Sequence, residues 1–176
     1  GKTHQDVKIG IGLATGECCV GNFGSIHRFD YSVLGDDVNL ASRLEAATKF
    51  YSVDILASAA TRDLSPDFAW LEVDALRVKG KTEVARIYAL AGDAGERQSA
   101  GFAALADIHE RMLAAYRGGS FAAAEALAGQ ARGRASPRLH ELYNFYERRC
   151  DRLERARPAD WTPITDLGQA ALPAEM

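Results

Sequence analysis

The segment DYSVLGDDVNLASRLE, Asp30 to Glu45, limits what this chain can fold into more than any other part of it. Tyr31, Val33 and Leu34 favour a strand, and Gly35 followed by two acids ends that strand and opens a helix. Asp36 or Asp37 is expected as the N-cap, because a carboxylate there accepts orphan backbone N–H groups at the positive end of the helix dipole. Leu40, Leu44 and Ala47 recur at i, i+4 and i+7 and predict one buried stripe. Asn39 and Arg43 are also four apart, so they share a neighbouring face, one turn above the other. The plainest account of such a pair is a solvated helix face, which is how Glu45 and Lys49 on the same helix are read. Near a helix N-terminus, a short amide and a guanidinium also make a wall suited to an oxyanion or phosphate.

The sequence around the pair lifts it above the plain account. GIGLATGECCVGNFGSIHRFDYSVLGDDVNLASRLEAATK, Gly10 to Lys49, resembles without gaps the second half of the catalytic domain of class III adenylyl and guanylyl cyclases. The resemblance continues through VDILAS (Val53 to Ser58) and LRVKGKTEVARIYAL (Leu76 to Leu90), which look like that domain's last strands. It covers Val7 to Ala91, about half of the chain and about half of a complete cyclase domain.

The resemblance implies a reaction in which a ribose 3′-hydroxyl attacks the α-phosphorus of a nucleoside triphosphate and pyrophosphate leaves. Arg43 matches the family residue that meets charge developing on the α-phosphate, where a fixed cation favours the transition state. Asn39 matches the residue that orients the ribose, and in-line attack is sensitive to placement. Ser32 stands where the family reads the base; adenylyl enzymes carry Asp, Thr or Ser there and guanylyl enzymes typically Cys, so Ser32 leans towards ATP. Lys79 in VKGK matches a lysine that contacts the terminal phosphates, against the reading of a hairpin-turn lysine in water and with Lys81 as an alternative. His27 and Arg28 are read as solvated or as contacts to a partner subunit.

The family's metal-holding aspartates lie in its first strand and the following hairpin, and this chain has no FxD strand followed by a GDA-like hairpin. No metal ligand is therefore assigned here. Asp30, Asp36 and Asp37 are accounted for by turn and cap chemistry. Mg²⁺ (or Mn²⁺) is expected on a missing N-terminal half, which leaves this chain inactive by itself. The expected partners are ATP and a second cyclase catalytic domain, as a homodimer or a complementary half.

Composition narrows the setting. A chain of 176 residues suits one domain or two small ones, and a net charge of −3 gives no sign of a nucleic-acid or membrane-surface partner. No apolar run reaches the roughly 18 residues that cross a bilayer, and GKTHQDVKIG is no secretory signal. Lacking an initiator Met, the chain reads as a fragment. Cys18, Cys19 and Cys150 show no metal or disulfide spacing, and reduced thiols fit the cytoplasm, including the cytoplasmic part of a membrane-anchored protein.

The organisation is α+β: a partial ferredoxin-like cyclase sheet with helices over 1–91, a linker at 92–101, a small all-α tail at 102–157, and an irregular C-terminus at 158–176. VKIGIGLATG reads as a strand, and GNFGSIHRFDYSVLG as a Gly/Asn turn and strand forming a hairpin. Ala57 to Leu64 reads as a short helix, and WLEVDALRVKG with VARIYAL as two strands around KGKTE. In the tail, three stripes predict helices: Phe102, Leu105, Ile108, Met112, Tyr116; Phe121, Ala124, Leu127, Ala128, Ala131; and Leu139, Leu142, Tyr146, Cys150, Leu153. Pro137 is placed for the first turn of the third. The first two, joined by RGGS, resemble one tetratricopeptide unit, which cannot bury a solenoid core alone and is expected to pack on the first domain or a partner. A helical cap and a peptide-binding groove both fit this pattern.

Two readings follow. The chain is the C-terminal piece of an adenylate cyclase, or it is a non-catalytic cyclase-like dimerisation or regulatory module. Retention of Asn39, Arg43, Ser32 and Lys79 together favours the first.

Overall fold

The computed structural model of the chain describes residues 8–25, 28–77 and 84–166, with backbone alone at 23–25 and 28–30. The fold is α+β. A short strand β1 (Ile11–Leu13) is followed by a hairpin of β2 (Cys19–Ser25) and β3 (Arg28–Leu34), and by helix α1 (Asp36–Tyr51). Strand β4 (Ile55–Ser58), helix α2 (Ala59–Asp63) and strands β5 (Ala69–Arg77) and β6 (Val84–Gly92) complete the first half. Helices α3 (Ala94–Arg97), α4 (Ala100–Arg117), α5 (Phe121–Arg132) and α6 (His140–Ala156) lead to strand β7 (Ile164–Asp166). The main sheet runs β1-β4-β6-β5-β7, and β2 and β3 form a separate antiparallel ribbon.

The chain reaches α1 by laying β1 directly on it. A Cβ on Gly12 would stand 2.0 Å from the Ala41 carbonyl oxygen and 2.4 Å from the Glu45 nitrogen, so only glycine permits this approach. The buried stripe of α1 is Leu44, Ala47, Thr48 and Tyr51, with Leu40 packed at its margin. These residues join Leu56, Leu71, Leu76, Ile87 and Ala89 of the sheet in one core, which continues through Phe102, Leu105, Met112 and Tyr116 of α4 and Tyr143 and Tyr146 of α6. Phe145 of α6 meets Phe50 and Tyr51 edge-on, with ring centroids 5.1 and 5.3 Å apart.

Several details differ from the sequence expectation. The N-cap of α1 is Gly35, with Asp36 and Asp37 inside the first turn, where acids still favour the dipole. Gly21 and Asn22 lie within β2, paired with Ser32 and Tyr31, so the hairpin turns further on. The short helix is α2, one turn capped by the Ser58 hydroxyl, which accepts from the Thr61 N–H. The segment read as a linker is ordered: β6 runs to Gly92, Asp93 caps α3, and Ser99 caps α4. Pro137 opens a separate 3-10 turn, Pro137–Leu139, ahead of α6. The C-terminus read as irregular supplies β7, which pairs parallel with the end of β5 through Ala75–Ile164, Leu76–Thr165 and Arg77–Asp166.

A polar joint ties these late elements to the sheet. Asp74, 3% exposed, accepts from the Tyr51 hydroxyl at 2.7 Å, the Thr165 hydroxyl at 2.7 Å and Arg149 at 3.4 Å. Arg149 also donates to Thr165 Oγ1 at 2.9 Å, and Tyr146 donates its hydroxyl to the Val73 carbonyl. Buried His109 of α4 bridges the Glu72 carbonyl and the Tyr143 hydroxyl. Helices α4 and α6 are therefore bonded, as well as packed, onto the sheet.

Candidate nucleotide-facing site

The candidate site is built around the N-terminal half of α1. Ribbon β2–β3 hands the chain to Gly35, where a Cβ would stand 2.9 Å from the Glu17 carbonyl oxygen and 3.3 Å from Cys18. The 16–18 turn thus folds over the start of the helix. A Cβ on Gly16 would stand 1.7 Å from an Asp37 carboxylate oxygen, so this turn lies directly against the first helical turn and a larger residue there would displace the Asp37 side chain. The Asn39 N–H donates to the Gly35 carbonyl at 3.2 Å, which starts the helical ladder at once.

This framework places Asn39 and Arg43 one turn apart on one flank of α1. At about 100° and 1.5 Å per residue they are separated by about 40° of azimuth and about 6 Å of rise. Both lie off the face that carries Leu44, Ala47 and Tyr51 into the core. Asn39 is exposed and Arg43 half-buried, so an amide and a guanidinium look outward from a rigid, core-anchored helix. Ser32 is exposed on β3, paired with Gly21, three residues before the cap. Lys79, the alternative Lys81 and His27 lie outside the described residues.

The chemistry this flank supports is recognition of an anion or a polar sugar edge. A guanidinium offers a fork of donors that matches phosphate oxygens, and an amide both donates and accepts. Among the described residues, no group of three or more His, Cys, Asp or Glu side chains is placed to hold a metal ion. Cys18 and Cys19 are exposed and Cys150 is buried, all as free thiols; burial pushes the Cys150 thiol up to about 11. No helix among the described residues is long and apolar enough to cross a membrane.

Sequence reasoning missed the buried polar residues His109, Asp74 and Arg149. His109 and Arg149 sit among helical positions that read as surface, and Asp74 alternates in a strand as a solvent-facing residue would. A buried acid opposite a distant arginine leaves no local signal.

Over residues 1–92 the chain matches the family described as Adenylate and Guanylate cyclase catalytic domain. It is similar to the terminal-differentiation specific adenylate cyclase of Dictyostelium discoideum, with 36% identity over 102 residues, 56% of this chain and 5% of that protein. It is also similar to an adenylate cyclase of Anabaena cylindrica, with 40% identity over 86 residues, 47% of this chain and 17% of that protein. Among solved structures, the adenylyl cyclase CyaB from P. aeruginosa is 41% identical, with 44% of this chain and 39% of that chain covered at a TM-score of 0.39. The chain thus spans 5% and 17% of the length of these two relatives.

Proposed function

We propose that this chain, which belongs to the family of adenylate and guanylate cyclase catalytic domains, supplies the Asn/Arg half of a site that converts ATP to 3′,5′-cyclic AMP and pyrophosphate. The observation that carries the reading is the placement of Asn39 and Arg43, one turn apart on the outward flank of α1 and directly after the strand that holds Ser32. In this reading residues 1–91 are the second half of a catalytic domain, and the tetratricopeptide-like helices of 102–157 cap it.

The roles follow from chemistry. The ribose 3′-oxygen forms a bond to the α-phosphorus while the bond to the pyrophosphate oxygen breaks. Arg43 donates to α-phosphate oxygens as their charge grows, which lowers the barrier more than it tightens binding. Asn39 holds the ribose so that the 3′-oxygen stays in line. Ser32 reads the base edge with a hydroxyl that donates and accepts, and Lys79 supplies a point charge to the terminal phosphates. The family's divalent ion, Mg²⁺ or Mn²⁺, would neutralise the triphosphate. The described residues of this chain do not form a fitting ligand set for it, so that ion is assigned to carboxylates of a second catalytic domain, and residues 1–176 alone make no cyclic nucleotide.

The experiment is complementation. The purified chain is mixed with a separately expressed cyclase domain that carries the metal carboxylates but lacks its own Arg, and cyclic AMP is measured by chromatography. Activity is expected only in the mixture. Arg43→Ala should lower kcat by about 10²–10³ with little change in KM, the signature of a lost transition-state donor. Cyclic AMP made by this chain alone, or an unaffected Arg43→Ala mixture, refutes the assignment.

A second reading, a non-catalytic regulatory module, is favoured by one observation: the tail helices and sheet share a single core, so the chain is built to fold as a unit. A silent mixture in which the two proteins still co-elute on a sizing column would select it.

A further inference from the structure

We infer that the cleft between α2, the β5–β6 strands and α4 is a binding site for a small phosphate-type dianion, separate from the Asn39/Arg43 flank. The cleft holds about 560 Å³ and is lined from three helices and two strands, and neither Asn39, Arg43 nor Ser32 borders it. A volume of that order suits a small ligand. Its charge is unlike that of the chain as a whole, which is net −3. Four guanidiniums, Arg62, Arg86, Arg97 and Arg117, face three carboxylates, Asp63, Glu72 and Glu110.

The distances show which of those charges are already used. Arg117 is bound to Glu72 at 2.6 Å, and Arg62 pairs with Asp63 at 3.1 Å while donating to the Tyr88 hydroxyl at 2.9 Å. Glu72 is shared: Arg86 Nε stands 3.8 Å from the same carboxylate oxygen, too far for a hydrogen bond. Arg97 has no carboxylate within ion-pair distance among the described residues, and its guanidinium carbon stands 5.9 Å from the Phe102 ring centre. Arg62 Nε is buried without a partner. An unpartnered buried donor is costly, and a ligand oxygen is one way to satisfy it.

These unspent donors come from different elements: Arg62 from α2, Arg86 from β6 and Arg97 from α3. They line one cleft whose wall is the half-buried and buried aromatic surface of Trp70, Tyr88 and Phe102. With Arg117 and Arg62 paired, Arg86 and Arg97 outnumber the remaining carboxylate, Glu110, and their two forks of donors match the several oxygens of a phosphate better than the two of a carboxylate. Bound there, the ligand bridges the sheet to the start of the helical tail.

The test titrates the full chain with inorganic phosphate and, separately, pyrophosphate, by calorimetry and thermal melting at constant ionic strength. Saturable one-site binding is expected, with a melting temperature that climbs with ligand concentration. Arg86→Gln/Arg97→Gln should weaken binding at least tenfold while the ligand-free melting temperature stays put, since both side chains lie at the surface. Arg97→Gln alone, on the short α3, should weaken it several-fold. Arg43→Ala removes the other phosphate-facing guanidinium, so saturable phosphate binding that survives it belongs to the cleft, whether or not the cyclase assignment holds. Absence of saturation at millimolar ligand, equal binding by the double variant, acetate binding as tightly as phosphate, or loss of binding in Arg43→Ala each overturns the proposal.

Discussion

Lowering the pH from 7 to 4 should weaken this fold through His109. The imidazole is buried between α4, β5 and α6, with Nε2 2.7 Å from the Glu72 carbonyl and Nδ1 3.1 Å from the Tyr143 hydroxyl. These partners select a neutral tautomer, in which Nε2–H donates to the carbonyl and Nδ1 accepts from the hydroxyl. Burial away from water penalises the imidazolium and lowers the pKa from 6.5 to about 4. The folded value lies below the unfolded one, so the unfolded chain takes up the proton first. Stability from this residue is fully present above pH 6.5 and falls as the pH drops towards 4. Integrating between the two values gives losses of about 1 kcal/mol at pH 6, about 2 kcal/mol at pH 5 and about 3 kcal/mol at pH 4. Urea unfolding followed by far-ultraviolet circular dichroism, repeated at those pH values for the wild type and for His109→Gln, measures the effect. Glutamine keeps a polar group at the joint but does not titrate, so the difference between the two proteins isolates the imidazole from the carboxylates. Parallel stability curves for the two proteins, or a wild type that gains on the variant as pH falls, would refute the reasoning.

Two further perturbations probe the same architecture. Arg149→Met strands Asp74 in the core without its cation and should cost about 3–5 kcal/mol in urea unfolding; adding Asp74→Asn should recover part of that loss, and an additive double variant would argue against the pairing. Gly12→Ala places a methyl 2.0 Å from the Ala41 carbonyl and should cost about 3 kcal/mol by forcing β1 away from α1, whereas a neutral substitution would mean that the strand is not seated there.

Much of the fold was legible because its signals are local. The run from Tyr31 to Leu34, the break at Gly35 and the stripe of Leu44 and Ala47 identify a strand, a turn and a helix face without knowledge of the rest. The tail stripes behave likewise: Phe102, Leu105, Ile108, Met112 and Tyr116 are all buried on α4. Boundaries were less legible. Asp36 and Asp37 are the cap candidates by sequence, yet the cap falls one residue earlier, on Gly35, against which the 16–18 turn packs. The small residues of 91–101 look like a linker, yet Asp93 and Ser99 each accept from a backbone N–H three residues on and convert the segment into two capped helix starts.

Asp74 shows where local reading ends. In WLEVDALR it alternates like a solvent-facing residue, and a register shift between Glu72 and Asp74 re-phases β5 so that Val73 and Asp74 are buried side by side. Its partner Arg149 stands 75 residues away, and its hydrogen-bond donor Thr165 lies in a strand that only pairing with β5 creates.

The sequence by itself determined α1, the strands around it and the three long tail helices, and it put Asn39 and Arg43 on one flank of α1, because periods of two and of 3.6 residues are properties of neighbours along the chain. Tertiary structure alone decided that the helical tail shares the sheet's core, that His109 and Asp74 are buried, and that four arginines from four elements meet in one cleft. Those facts depend on which distant faces come together, and the packing and hydrogen bonds that select them act through space between residues with no relation along the sequence.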